Sequence, residues 1–264
     1  MPDFAAILYK VENDVAWVTM NRAEQRNAVN AEMRDELIAV FNDARTNAGI
    51  RALVLTGAGK GFCTGADLSG PRGQGPSGPG AGREIMKGSS QRLIRSLWEL
   101  EKPVVAAVNG VAAGLGSHLA FASDFVIAAA DARFIEVFVR RGIAVDAAGA
   151  FLLPRLIGLQ KAKELVFFGD DVSADEALRV GLVSKVVPGD QLAATAREWA
   201  QRLATGPTFA IGMSKRLLNR SLESSFETAL EEEALAQALV TQSEDTREGM
   251  VAFMERRTPQ FKGR

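Results

Sequence analysis

The hydrophobic residues of the first half of the chain fall into short runs that end in polar or glycine-rich turns. Residues 5–12 and 15–20 flank an Asn-Asp pair and are typical of a β-hairpin. The runs 51–56 and 104–108 are almost wholly apolar and too short for a free helix, so they favour buried strands. The pattern therefore predicts a hairpin followed by two buried strands.

Helical spacing of apolar residues occurs between and after these runs. Asn30 is placed to cap a helix, and Ser173 with Glu176 fits a capping box. Helices are predicted at 31–48, 84–100, 115–122, within 142–158, at 159–168, at 173–180 and through most of 190–264. Further strands are predicted at 125–129, 133–135 and 182–187. No strand is predicted after residue 188, so the last third of the chain is expected to be helical.

A short apolar strand, a glycine turn and a small-residue helix lie together between residues 101 and 124 (EKPVVAAVNGVAAGLGSHLAFASD). The first N–H groups of a helix have no acceptor within it, and they carry partial positive charge. The N–H of Leu115 is therefore a candidate donor of an oxyanion hole, with His118 on the same helix face. The alternative is an ordinary glycine-assisted helix start.

The same succession of strand and glycine loop occurs twice, at 51–68 and at 103–118. This repetition favours an oxyanion hole, which normally needs two converging donors. Nucleotide-binding motifs do not explain the glycines. Residues 57–61 (GAGKG) lack the spacing of a P-loop, and Gly110, Gly114 and Gly116 do not fit the dinucleotide fingerprint.

Composition narrows the class of protein. The chain has 264 residues, of which 47% are hydrophobic, enough for a sizeable core. With 31 basic and 32 acidic residues the net charge is −1, which argues against a general nucleic-acid binder. A single cysteine, Cys63, suits a reducing compartment and is expected to be a buried apolar residue. Without a secretory signal or a membrane-length apolar run, we predict a soluble cytoplasmic protein.

Residues 69–82 (SGPRGQGPSGPGAG) are rich in glycine, proline and serine. Because the strand and helix pattern resumes beyond them, we predict a mobile surface loop within one folded unit. Two interpretations stay open for this loop, a lid over a bound ligand and a disordered insertion.

Six motifs in order point to a known family: NRAEQRNAVN, GFCTGADL, KPVVAAVNGVAAGLG, GIAVDAAGAFLLPRLIG, SADEALRVGLVSKVV and FMERRTPQFKGR. On these motifs the chain resembles the enoyl-CoA hydratase/isomerase (crotonase) superfamily along nearly its whole length. The resemblance implies a crotonase-like α/β fold with a repeated ββα spiral core, here residues 1–200, and a C-terminal α-helical trimerisation region, residues 201–264. It also implies an acyl-CoA thioester substrate and a homotrimer or a dimer of trimers.

The resemblance further implies where the site lies. The oxyanion hole would be formed by the backbone amides of Ala66 and Leu115. CoA contacts are expected from two loops and, across a subunit boundary, from the C-terminal region: Arg22, Arg26, Ala28, Gly65, Ala66, Asp67, Leu68, Phe253 and Lys262. No metal and no separate cofactor are expected, since CoA is part of the substrate.

The chain departs from the hydratases at the acid–base residues. Their two catalytic glutamates fall on His118 and Phe138, and phenylalanine cannot transfer protons. Glu136 could replace one of them only through a local change of register. Asp146 falls where several isomerases of the superfamily carry an aspartate, and its apolar neighbours would raise its proton affinity. The alternative is that Asp146 caps the helix that begins near Ala147.

These residues predict an enoyl-CoA isomerase that uses Asp146 as its base. Two alternatives stay open. One is a hydratase in which His118 and Asp146 together position water. The other is a catalytically silent acyl-CoA-binding or scaffold protein that keeps the fold.

Overall fold

The computed structural model describes residues 4–69 and 78–264, which form ten strands and ten α-helices in the described part. The strands are β1 Ile7–Glu12, β2 Val15–Met20, β3 Ala52–Gly57, β4 Gly61–Cys63, β5 Val104–Val108, β6 Val111–Ala113, β7 Phe125–Ala129, β8 Arg133–Ile135, β9 Asp171–Ser173 and β10 Lys185–Val187. The helices are α1 Ala31–Thr46, α2 Ala81–Gly88, α3 Ser90–Trp98, α4 Leu115–Phe121, α5 Gly149–Phe168, α6 Ala174–Val180, α7 Leu192–Ala204, α8 Thr208–Ser221, α9 Phe226–Val240 and α10 Glu244–Glu255.

The larger sheet has six strands in the order β1-β2-β3-β5-β7-β10. The β1–β2 pair is the predicted hairpin, and the remaining pairs are parallel. All five residues of β5 are buried, because helices cover both faces of the sheet. This explains why the central strands are continuous apolar runs rather than alternating ones.

The smaller sheet has the order β4-β6-β8-β9. Each of its first three strands follows a strand of the larger sheet: β4 follows β3, β6 follows β5, and β8 follows β7. Helices come after each of these pairs, so the chain repeats a unit of two strands and a helix, as expected. The repeat places successive strand-to-helix turns side by side.

The core lies on both faces of the larger sheet. One face packs against α1, α3 and α4, and the other packs against α7 through small side chains such as Ala196 and Ala200. The predicted boundary after residue 200 therefore falls inside α7, a helix that lies on the sheet. The division into a core and a C-terminal helical region stays a prediction. The C-terminal helices that do not pack on the larger sheet begin at α8, after the predicted boundary.

Several elements differ from the sequence prediction. The strands β4, β6 and β9 were not predicted, because three residues are too few to show a period. The helix predicted at 84–100 is two helices separated at Ser89. The Ser89 hydroxyl donates a hydrogen bond to the carbonyl oxygen of Ile85 at 2.6 Å. Only the last three residues of the predicted strand 182–187 are extended. Most of the predicted loop 69–82 lies outside the described residues.

The predicted caps at Asn30 and Ser173 are confirmed, but the reciprocal bond of a capping box is not found, because the Glu176 carboxylate binds Arg179 and Lys161. The Asn30 side chain accepts from the N–H of Met33, and the Ser173 hydroxyl accepts from that of Glu176. At the other end of the chain, the Arg51 side chain donates to Gly206 O, Thr208 Oγ1 and Phe261 O. It thereby ties the C-terminal tail to the start of β3.

None of the described helices is long and apolar enough to span a membrane.

Backbone touches backbone where β4 passes the start of α4. A Cβ atom built on Gly116 would lie 2.0 Å from the carbonyl oxygen of Cys63 and 2.9 Å from its Cβ. No side chain fits there, because the obstructing atom belongs to a strand held in the smaller sheet. Glycine at this position lets the first turn of α4 sit directly on β4.

We expect Gly116→Ala to lower the free energy of unfolding by about 3 kcal/mol, since neither backbone can yield cheaply. The measurement is urea unfolding followed by circular dichroism. Gly82→Ala is the control, because Gly82 is an exposed helical glycine with nothing within 4 Å of a built Cβ. Equal stability of the two variants would show that β4 and α4 are not in fixed contact.

Candidate active site

The first predicted donor, the N–H of Leu115, lies at the start of α4. Gly114 before it has φ 53° and ψ −121°, a conformation that only glycine adopts easily, and its own N–H is bonded to Ile135 O at 2.9 Å. The first intrahelical bond runs from the N–H of His118 to Gly114 O at 3.0 Å. Leu115 is thus among the first residues of the helix, whose N–H groups have no intrahelical acceptor.

The second predicted donor, the N–H of Ala66, lies in an extended segment beside Val29. Val29 N donates to Gly65 O at 2.8 Å, and Asp67 N donates to Val29 O at 2.9 Å. Because successive amides of an extended chain point to opposite sides, the N–H of Ala66 points away from Val29. It is free to donate on the other side of the segment.

The two donor segments touch each other. A Cβ atom built on Gly65 would lie 2.8 Å from Ala113 O and 3.6 Å from the amide nitrogen of Leu115. The segment that carries Ala66 therefore lies directly against the turn that carries Leu115. This contact is the geometry that two converging donors require.

The loop before α1 lies beside the same segment. Arg22 and Asp67, both predicted CoA contacts, form an ion pair at 2.8 Å. Hydrogen bonds from Ser69, and then from Arg22, lower the pKa of Asp67 to about 2. The carbonyl oxygen of Arg26 accepts a hydrogen bond from the N–H of Thr64 at 3.2 Å. Ala28, two residues further along the same loop, is partly buried. These predicted contacts are thus brought together.

Asn27 organises this loop, and the sequence did not single it out. It is fully buried, and its side chain accepts from Arg22 N and donates to Ala58 O and Gly61 O. Both Arg26 and Asn27 have positive φ, at 52° and 55°. Asparagine tolerates this conformation better than most residues, a weak signal that could have drawn attention to it.

The remaining predicted CoA contacts are more dispersed. Leu68 follows Asp67 and is 55% exposed, as a surface contact would be. Phe253, on α10, is 82% exposed, and the backbone N–H of Lys262 is held by Asp245. Arg51 fixes the tail beside Lys262 at the start of β3, whereas the loop toward Ala66 leaves the other end of that strand. The C-terminal set and the loop set thus adjoin opposite ends of β3.

Asp146 lies in an unusual turn before α5. Ala147 and Ala148 both have positive φ, at 46° and 63°, and strain of this kind in non-glycine residues clusters at functional sites. The N-terminal cap position of α5 is Ala148, with no side-chain cap bond, so the interpretation of Asp146 as a helix cap is wrong. Asp146 is partly buried, and this burial raises the pKa of its carboxyl group.

His118 lies inside the protein beside two residues from the segment after β8. Its Nε2 is 3.0 Å from Oε2 of Glu136, and its ring stacks on Phe138 with centroids 5.5 Å apart. The β6–β8 ladder runs without a shift and ends at Ile135, so the register change considered for Glu136, which comes after it, stays a prediction. Phe138 lies over Gly114, with its Cζ 3.5 Å from a built Cβ. A phenyl ring thus covers the turn of the oxyanion donor.

Cys63 is buried in β4, as predicted, and burial raises the pKa of its thiol to about 12. A thiol held in this protonated form is a poor nucleophile. The acid–base groups near the donor turns are therefore Asp146, His118 and Glu136, which act electrostatically on one another.

Comparison with known proteins identifies the family of the chain. Residues 10–264 match the family model described as enoyl-CoA hydratase/isomerase. The chain is 41% identical over 260 residues to the 1,2-epoxyphenylacetyl-CoA isomerase of Escherichia coli (strain K12), covering 98% of each chain. It is 38% identical over 253 residues to the short-chain-enoyl-CoA hydratase of Clostridium acetobutylicum, covering 95% of each.

A crystal structure of an enoyl-CoA hydratase/isomerase from Cupriavidus metallidurans CH34 superposes with a TM-score of 0.93 at 36% identity. The match covers 100% of this chain and 98% of that one. The crotonase-like fold expected from the motifs is therefore confirmed. The chain belongs to the enoyl-CoA hydratase/isomerase family and is an enzyme of it.

Proposed function

We propose that the protein is an enoyl-CoA isomerase that moves a carbon–carbon double bond, with Asp146 as the base. The observation that carries the proposal is the strained turn that presents Asp146. Two consecutive alanines hold left-handed conformations there, while the aspartate caps nothing. The E. coli relative, which is named an isomerase, supports the same interpretation.

The proposed reaction needs one carboxylate and two amides. Asp146 removes a proton from the carbon beside the thioester carbonyl, and the electron pair moves onto the carbonyl oxygen as a dienolate. The N–H groups of Ala66 and Leu115 stabilise that oxygen. The protonated Asp146 then returns the proton to the far end of the original double bond, so atoms and charge balance. Phe138 brings no second acid, which favours a single shuttling carboxyl group.

The CoA part of the substrate would lie along the loop of residues 22–28 and the segment 65–68. We infer that no further cofactor takes part, since every proton in the scheme is carried by Asp146. We also propose a homotrimer or a dimer of trimers. Support comes from large apolar side chains exposed on α8 to α10, such as Leu218, Phe226 and Phe253. Exposed apolar surface of this extent is typical of subunit interfaces.

Hydration is the second candidate function. Its support is His118, whose Nδ1 is buried without a hydrogen-bond partner and could accept from a water molecule. The Clostridium relative is named a hydratase. In this alternative His118 and Asp146 together position the water that adds to the double bond.

We expect Asp146→Asn to abolish isomerisation, with kcat at least about 10²-fold lower, because an amide cannot shuttle the proton. Binding of the acyl-CoA should change little, since the CoA contacts lie on other loops. The measurements are turnover of 3-enoyl-CoA by chromatography and binding by calorimetry. Full turnover by this variant would exclude Asp146 as the base.

The same assay separates the candidate functions by product mass. Isomerisation of 3-enoyl-CoA leaves the mass unchanged, whereas hydration of 2-enoyl-CoA adds one water. A catalytically silent protein would bind either ester without product, which its membership of an enzyme family makes unexpected.

Gly65→Ala should lower kcat by about 10²-fold, the effect of losing one oxyanion donor. The reason is that a methyl group there would meet Ala113 O at 2.8 Å and separate the two amides. Gly181→Ala is the matched control, since Gly181 has a similar φ of 91° and only one atom, 3.6 Å away, near a built Cβ. Both variants should lose about 1 kcal/mol of stability from left-handed strain. Unchanged kcat in Gly65→Ala would contradict the oxyanion hole.

The rate should depend on pH through Asp146. The base acts only when ionised, and burial raises its pKa above the ordinary 3.8. Activity should therefore be complete above the raised pKa and fall as the pH drops through it, at a higher pH than for an exposed aspartate. A profile of kcat/KM against pH measures this limb. A limb at or below the ordinary value would contradict the assignment.

A further inference from the structure

The pair formed by His118 and Glu136 is the most buried charged contact near the site. The side chain of His118 is 0% exposed and that of Glu136 is 4% exposed, with Nε2 and Oε2 3.0 Å apart. Burying a carboxylate costs free energy unless it is hydrogen-bonded. The pair joins α4 to the segment that follows β8, beside the turn that carries Asp146, so it is a candidate for a role at the site.

The imidazole ring cannot turn freely. Phe138 stacks on one face, with an angle of 15° between the ring planes. A Cβ atom built on Gly149 would lie 2.2 Å from Cε1 and 2.4 Å from Nε2. That edge of the ring therefore rests against the backbone at the start of α5. Rotation of the ring would require Phe138 or α5 to move.

The hydrogen bond to Glu136 also fixes where the proton lies. A carboxylate only accepts, so in a neutral ring Nε2 carries the proton and Nδ1 is bare. Nδ1 is buried and has no hydrogen-bond partner within the described structure. Glu136 thus selects one tautomer and one orientation of the ring.

The ring is seated against the turn that carries the proposed base. Gly149 N donates to Asp146 O at 2.9 Å, closing the turn of residues 146–149 around its two strained alanines. The ring therefore contacts the residue that closes this turn. Movement of the ring would displace Gly149, and with it the turn that positions Asp146.

We propose that Glu136 is a positioning residue for Asp146, holding the His118 ring in one tautomer against the turn of residues 146–149. This inference rests on the proposed role of Asp146 as the base. Glu136 itself is enclosed and bonded to His118, so it acts through the histidine rather than by contact with substrate. Neither the spacing of the sequence nor the family match assigns it such a role.

Charge adds to the effect of position. Burial is the main cause of the raised pKa of Asp146; His118, on α4, lowers that pKa, and Glu136, after β8, raises it. Removal of the Glu136 charge should therefore lower the pKa of Asp146. A fall in the pKa of Asp146 distinguishes this mechanism from a general loss of structure.

The first test compares pH profiles of kcat/KM. Glu136→Gln keeps the shape and an acceptor oxygen but loses the charge, so the acid limb should move to lower pH. Glu136→Ala removes the hold on the ring, and in that variant we expect kcat to fall by about 10- to 100-fold with a smaller change in KM, because displacement of the base affects the transition state most. Glu198→Gln, an exposed change of equal charge on α7, is the control and should leave both unchanged.

The second test needs no activity. The chain has a single histidine, so ¹⁵N-histidine labelling gives one imidazole whose nitrogen shifts report its tautomer by NMR. The expected result for the neutral ring is a protonated Nε2 and a bare Nδ1, retained in Glu136→Gln and lost to a mixture in Glu136→Ala. A ring protonated on Nδ1 would overturn the proposal.

The outcomes separate this inference from the proposed function. If Asp146→Asn keeps its turnover, the proposed function fails. If Asp146→Asn is inactive but Glu136→Gln leaves the acid limb in place while lowering only stability, Glu136 is merely structural and the inference fails. The NMR result decides the tautomer in either case.

Discussion

Direct contact between two pieces of backbone is the constraint on which the structure depends. The end of β4 and the segment of Gly65 lie against the turn of Gly114 and the first residues of α4, with no room for intervening side chains. Backbone amides can serve as paired donors only if their segments approach this closely. The repeated unit of two strands and a helix provides the approach, because it sets successive turns next to each other. The fold thus brings main-chain groups of two segments together, and side chains supply the acid–base groups beside them.

The acid–base residues are arranged differently from the donors. Asp146 is presented by a turn with two alanines in left-handed conformations, whose cost must be met by the packing around it. His118 and Glu136 supply part of that packing from two other elements, and the ring of Phe138 stacks on His118. The site therefore combines one partly accessible carboxyl group with a closed pair behind it. In the proposed mechanism, this arrangement separates the group that moves a proton from the groups that hold it in position.

Local signals in the sequence predicted much of the fold. The caps at Asn30 and Ser173, the hairpin and the buried strands each depend on residues close together in the chain. The strands β4, β6 and β9 were missed because three residues show no period. The pairing of His118 with Glu136 joins residues 18 positions apart through tertiary packing, which spacing cannot reveal. The positive φ of Ala147 and Ala148 has no signal in the sequence either, since alanine favours helices.

Strand β3 lies between two parts of the molecule, the anchored C-terminal tail and the loop toward Ala66. Arg51, before its first residue, grips the C-terminal tail through Phe261 O, and the loop toward Ala66 departs from its last residue. Six residues of extended chain span about 20 Å. The strand is in effect a rigid spacer between the C-terminal tail and the loop toward Ala66. In the proposed trimer, a tail side chain held at that distance would be presented to a loop on a different copy of the protein.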